Sequence, residues 1–211
     1  MIYLPEHFEE SRPEAMRQLI ADFPLATLVT LGPDGMAANH IPLILDDSRG
    51  EHGVLIGHVA RNNELWRDGQ HRGEALAVFQ GPDAYVSPNW YALKQETHEV
   101  VPTYNYAVVH AYGPLVVHDD PKWVRGAVGR LTKKMESSLP VPWKMADAPR
   151  DYLDGMLANI VGIEIPVSRM VGKWKVSQNR NEADRESAIA GLRSTGHPSN
   201  AAMADLMESM P

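Results

Sequence analysis

The chain contains no cysteine in 211 residues. That excludes disulfides, a thiolate nucleophile and any cysteine-based metal cluster, and it fits a reducing, cytoplasmic setting. It also lacks an uninterrupted apolar run near the ~18 residues that a membrane-spanning helix requires. The opening MIYLPEHFEE has neither the basic nor the apolar region of a secretory leader. Positive charge is scarce: 20 Lys and Arg face 27 Asp and Glu, a net −7. Duplex DNA binding draws much of its affinity from neutralised phosphates, so it would need a local basic patch here. Lys122, Arg125, Arg130, Lys133 and Lys134 form the densest such group, on one expected helix. A solvated helix face is the simpler reading of them. No dinucleotide fingerprint, Walker phosphate loop, HExxH pair or nucleophile elbow is present.

What is present is a succession of short strand-like runs. Ser11 and Glu14 have capping-box spacing, and a helix is expected to follow as far as Phe23. Residues 25–31 and 36–45 read as a hairpin about Gly32-Pro-Asp-Gly35. Strands are expected at 54–59, at 74–80 and 83–87 (broken at Gly81-Pro82), and across 103–117. Residues 159–176 also read as strand, with a break at Pro166. Helices are expected at 62–69, from Pro121 to Ser137, at 149–158, and in a tail at 182–193 and 199–209. Many short strands with few intervening helices point to a closed antiparallel sheet rather than a βαβ layout. The division expected is a domain over 1–180 followed by a helical tail over 181–211.

Three groups of residues stand out as more than core. Arg61, Asn62 and Asn63 lie where strand 54–59 should enter the helix at 62–69. A helix N-terminus presents unpaired N–H groups, and arginine adds a planar donor fork suited to phosphate. An ordinary cap beside a solvated arginine is the competing reading. Trp90, Tyr91, Tyr104 and Tyr106 cluster near loop and strand ends, where rings could stack on a flat heterocycle or simply fill a core or dimer interface. His40, His58 and His110 fall on expected strands. Any one of them could face a ligand or serve as a haem axial ligand, and a histidine bonded within the fold is the commoner outcome. Asp46-Asp47 and Asp119-Asp120 read as turn and cap residues.

Taken in order, several segments resemble one family. They are MIYLPEHF at 1–8, ATLVTLGPDGMAANHIPL at 26–43 and LIGHVARNNELW at 55–66. They continue with AVFQGPDAYVSPNWY at 77–91, VPTYNYAVVHAYG at 101–113 and MLANIVGIEIPVSRMVGKWKVSQNR at 156–180. The chain is similar to the PaiB-like FMN-binding negative transcriptional regulators over most of residues 1–180. The resemblance implies a mainly β fold with flanking helices (α+β), a split β-barrel of the FMN-binding, pyridoxamine-phosphate-oxidase-like type. It further implies a homodimer with FMN at the subunit interface.

Carried over by motif position, His58, Ala60, Arg61, Asn62 and Asn63 form the phosphate end. Asn39, His40 and Pro42 lie on a strand that lines the flavin in related barrels. Tyr85, Ser87 and Trp90 belong to a central loop. Lys175, Gln178 and Asn179 belong to a late motif that would come from the partner subunit. Oxidase-like relatives often carry a Ser-Arg-Lys-type triplet where this chain has Ala60-Arg61-Asn62-Asn63, with less positive charge. The implied role is negative transcriptional regulation, direct or indirect. A flavin-dependent oxidoreductase acting on a small substrate and a haem-binding barrel are the alternatives.

Overall fold

The structure is a computed structural model that describes residues 2–67 and 71–210, apart from the side chain of Gln95. The elements in chain order are β1 (Glu9–Glu10), α1 (Pro13–Asp22), β2 (Leu25–Gly32), β3 (Gly35–Pro42), β4 (Ile44–Asp46), β5 (Val54–Ala60), β6 (Glu74–Val86), α2 (Lys94–Thr97) and β7 (Thr103–Pro114). They continue with β8 (Val116–His118), α3 (Pro121–Glu136), α4 (Arg150–Leu157), β9 (Ile160–Pro166), β10 (Arg169–Lys175), α5 (Glu182–Ser194) and α6 (Pro198–Ser209). The strands form one sheet in the order β1-β10-β7-β6-β2-β3 and another in the order β4-β5-β9-β8. The pairs with a described register are all antiparallel.

The chain forms two compact units. One comprises Ile20–Phe79 and His110–Met170. Its four-stranded sheet has Leu55, Val59, Val161, Ile163 and Ile165 buried on one face. On the other face Val54 and Ile56 pack with Ala127 of α3, flanked by Ile44 and Trp123. Each such burial favours folding by roughly 1.5–3 kcal/mol before the entropy of ordering is subtracted. The helix can approach because β9 carries Gly162, where an added Cβ would lie 2.1 Å from the Trp123 ring. Asp120 caps α3, accepting from Trp123 N at 2.8 Å, and Pro121 occupies the first turn, where no N–H is needed. In the hairpin β2–β3, Ala26 and its cross-strand partner Ile41 are buried, as is Leu28, whose partner across the pair is Asn39. The opposite face of the same hairpin leaves Leu25, Leu31 and Met36 exposed, Met36 at 82%.

The other unit comprises Met1–Leu19, Gln80–Val109 and Val171–Pro211. Its core includes Val86, Tyr91, Ala107, Val109, Trp174, Leu192, Met203 and Met207. Asn181 caps α5 by accepting from Asp184 N at 2.8 Å, and buried Asp184 accepts from Leu93 N at 2.9 Å, which ties the loop after β6 to the helix. Trp90 lies where a side chain on Gly191 would be, 2.3 Å from the added Cβ. Arg193 of α5 bridges Asp205 and Glu208 of α6.

Most expected elements are present, with three differences. The strand expected at 36–45 is divided at Leu43, whose N–H leaves the ladder to bond Pro24 O at 2.8 Å. β6 continues through Gly81-Pro82; Gly81 serves close packing there, since a Cβ would lie 2.9 Å from Leu19. The helix expected at 62–69 is a three-residue 3₁₀ turn, Glu64–Trp66, and the rest of that expectation falls partly on 68–70, outside the described residues.

Candidate functional site

The end of β5 was expected to aim a helix dipole at a phosphate. A single 3₁₀ turn aligns too few peptides for a sizeable macrodipole, so that contribution is missing. Arg61 is engaged within the chain. Its guanidinium holds Asp119 through two bonds, at 3.0 and 2.6 Å, and donates from Nε to Ala158 O at 2.7 Å. The Asp119 carboxylate beside it holds Arg61 above the usual arginine range, and Asp119 is held below the usual carboxylate range in return. Trp66 Nε1 donates to Arg61 O at 2.9 Å. Ala60 and Asn62 are exposed.

Asn63 instead joins two of the groups picked out from sequence. Its amide donates to Asn39 Oδ1 of β3 at 2.8 Å, while its own Oδ1 caps the 3₁₀ turn by accepting from Leu65 N at 2.9 Å. These two asparagines line a cleft of about 350 Å³ together with Thr30 and the hairpin backbone from Gly32 to Gly35. Thr30 is 3% exposed, and its hydroxyl is buried without a partner among the described residues. A buried hydroxyl left unpaired costs about 1–3 kcal/mol, so a ligand that pairs it is favoured. The described lining includes Asp34 and Glu64 and no Lys or Arg. This chemistry fits a neutral, hydrogen-bonding part of a ligand, such as a polyol chain or the polar edge of a heterocycle, better than a phosphate.

His40 and Pro42 lie on the exposed face of β3. His58 shares a face with Ile56 and stands opposite Gly162, so it lies on the side of the sheet that α3 covers. Burial there holds His58 below the usual histidine range, and its Nδ1 has no partner among the described residues. His118, on the same row across Gly162, stacks on Trp123 with centroids 4.0 Å apart.

In the other unit, Tyr85 is half exposed on β6, and Ser87 caps a 3₁₀ turn at Pro88–Trp90 by accepting from Asn89 N at 3.2 Å. Lys175 donates to Thr103 Oγ1 and, at 2.6 Å, to Tyr104 O. Burial holds its ammonium below the usual lysine range, with Lys173 and Arg180 adding to the effect. Gln178 closes a local turn, accepting from Val176 N at 2.8 Å and donating to Trp174 O at 2.6 Å. Asn179 is exposed and, with Lys175, lines a small cleft. Sequence reading passed over Thr30, Asn105, Ser177 and Arg180. Ser177 and Arg180 lie within the late motif, whereas Thr30 and Asn105 look like ordinary strand residues and become distinctive only through burial.

A family model described as "Putative FMN-binding domain" matches residues 2–169. The chain is 32% identical over 208 aligned positions to the "Protease synthase and sporulation protein PAI 2" of Bacillus subtilis, covering 98% of this chain and 97% of that one. It is 32% identical over 241 aligned positions to an uncharacterized protein of Emericella nidulans, covering 98% and 96%. Among solved structures, the FAD and heme binding protein from Mycobacterium smegmatis aligns with a TM-score of 0.58 at 18% identity, covering 87% of this chain and 80% of that one. The fold is the mainly β split barrel with flanking helices.

Proposed function

This chain belongs to the FMN-binding domain family, and on that premise we propose that it is a homodimeric FMN-binding protein whose regulatory action is indirect, without direct contact to duplex DNA. FMN is the cofactor, and when bound it supplies reversible electron or hydride transfer. The observation that carries the placement of the flavin is the cleft where Asn39 and Asn63 meet beside the unpaired Thr30 hydroxyl. There Asn63 holds Asn39 in place, and the Asn39 amide N–H groups have no partner among the described residues and are left for a ligand. Asn39→Ala is expected to weaken FMN binding about tenfold, equivalent to one lost hydrogen bond of about 1.4 kcal/mol. Titration of flavin fluorescence against protein reads this directly, and an unchanged affinity would remove the cleft from the flavin site.

Dimerisation is supported by the hairpin β2–β3. Its outward face exposes Leu25, Leu31 and Met36, and β3 ends the order of its sheet. An apolar face beside an unpaired strand edge is a surface that folded proteins normally cover. The indirect route is supported by the charges. Arg125 is bound to Asp154 and Arg130 to Asp46, so two of the five cations in the basic group on α3 are already paired, on a chain of net −7. Gel-shift assays at low and moderate salt are expected to show no sequence-specific shift, since phosphate contacts would appear as strong salt dependence. A specific shift at low salt that fades with salt would overturn the indirect route.

A further inference from the structure

The strand end at Lys175 opens into a cleft of about 90 Å³ whose chemistry differs from that of the Asn39 cleft. A water molecule occupies about 30 Å³ of liquid, so this volume holds about three. Small-molecule sites usually start near ~300 Å³. The cleft is therefore the size of a carboxylate or phosphate group and far too small for a flavin ring system.

Its walls are cationic. Lys175 and Arg180 line it, and none of the described lining residues is acidic, on a chain that is otherwise net negative. The Arg180 guanidinium lies 4.7 Å from the centre of the Tyr91 ring and makes no ion pair among the described residues. The neutral walls are mostly donors: Thr103, Asn105, Ser177 and Asn179. Asn105 is 1% exposed and donates to Ser177 Oγ at 2.9 Å, which fixes both side chains. Tyr91 is also a wall. It is 1% exposed, and its hydroxyl is buried with no partner among the described residues. A buried phenol O–H without an acceptor, in a cleft with two cations and no anion, is the arrangement that a bound oxyanion would complete.

We propose that this cleft is an oxyanion site that holds the carboxylate or phosphate end of a small-molecule ligand, with Arg180 and Lys175 supplying charge and the Tyr91 hydroxyl donating a hydrogen bond. The phosphate of FMN and the acidic group of a second metabolite share this chemistry. The site does not rest on the flavin cleft, because its response can be read without flavin.

The test is thermal unfolding of the purified full chain in inorganic phosphate, against sodium chloride at matched ionic strength. Binding to the native state raises the melting temperature with ligand concentration. The wild type is expected to be stabilised by phosphate and not by chloride. Arg180→Gln should weaken the apparent phosphate affinity at least tenfold, and Tyr91→Phe severalfold. Without phosphate, Tyr91→Phe should melt no lower than wild type, since its hydroxyl has no partner among the described residues to lose. A response to phosphate no larger than to chloride would overturn the site. So would full retention of the response in both variants, or a Tyr91→Phe chain that is several degrees less stable without phosphate. Repeating the titration on the FMN-loaded chain identifies the source. A response that persists assigns the cleft to a second ligand, and one that disappears in step with flavin loading assigns it to the phosphate of the cofactor.

Discussion

Glu164 shows how much of this molecule is set by partners distant in sequence. It stands on β9 with 6% of its surface exposed, 3.0 Å from Arg49 and 3.5 Å from His118. Burial alone would push its carboxyl up. The hydrogen bond and charge of Arg49, with the charge of His118, outweigh burial and hold it below the usual carboxylate range. Arg49→Ala should therefore cost about 1–2 kcal/mol at neutral pH, less than a fully buried pair because the arginine is 45% exposed. Arg67→Ala, which removes a surface pair with Glu64, should cost no more than ~0.5 kcal/mol. Urea midpoints at constant slope compare the two. The sign of the pH effect follows from the lowered carboxyl. Its stabilisation is present above the ordinary value of 4.5 and is lost as pH falls through the folded-state value. The gap between wild type and Arg49→Ala should close in acid. Arg61 teaches the same lesson. Its motif resembles a phosphate end, while its partner Asp119 lies 58 positions away, and no local pattern pairs them.

At the scale of elements, hydrophobic alternation and turn residues made most strands and helices legible, since the 2.0 and 3.6 periods are local properties. Asp120 and Pro121 announced the start of α3, and both sit there in the structure. Failures occurred where packing overrode punctuation. Gly81 reads as a breaker but serves close approach to Leu19, and Glu64–Trp66, which reads as the start of a helix, forms a single 3₁₀ turn. The glycines of α3 and the sheet beneath it separate the two uses of that residue. Gly126 has open space where a side chain would be, so Gly126→Ala should stabilise the chain by about 0.4–1 kcal/mol through the unfolded state. Gly162→Ala drives a methyl into Trp123 and should destabilise by about 1–3 kcal/mol as α3 is forced off β9. Thermal unfolding of the two variants should shift in opposite directions.

For the molecule as a whole, the ordered motifs identified the family and its cofactor before any geometry was known. The site was only partly legible. Asn39 and Asn63 were selected by motif position, and the structure brings them to 2.8 Å. Thr30 and Asn105 needed the structure, because burial leaves no trace in a single sequence. The most direct measurement of the central claim is on the full chain, incubated with FMN, freed of excess and examined by sedimentation with detection at protein and flavin wavelengths. The expected result is a single species of twice the chain mass carrying about one FMN per chain. A folded, colourless chain after that incubation would contradict it.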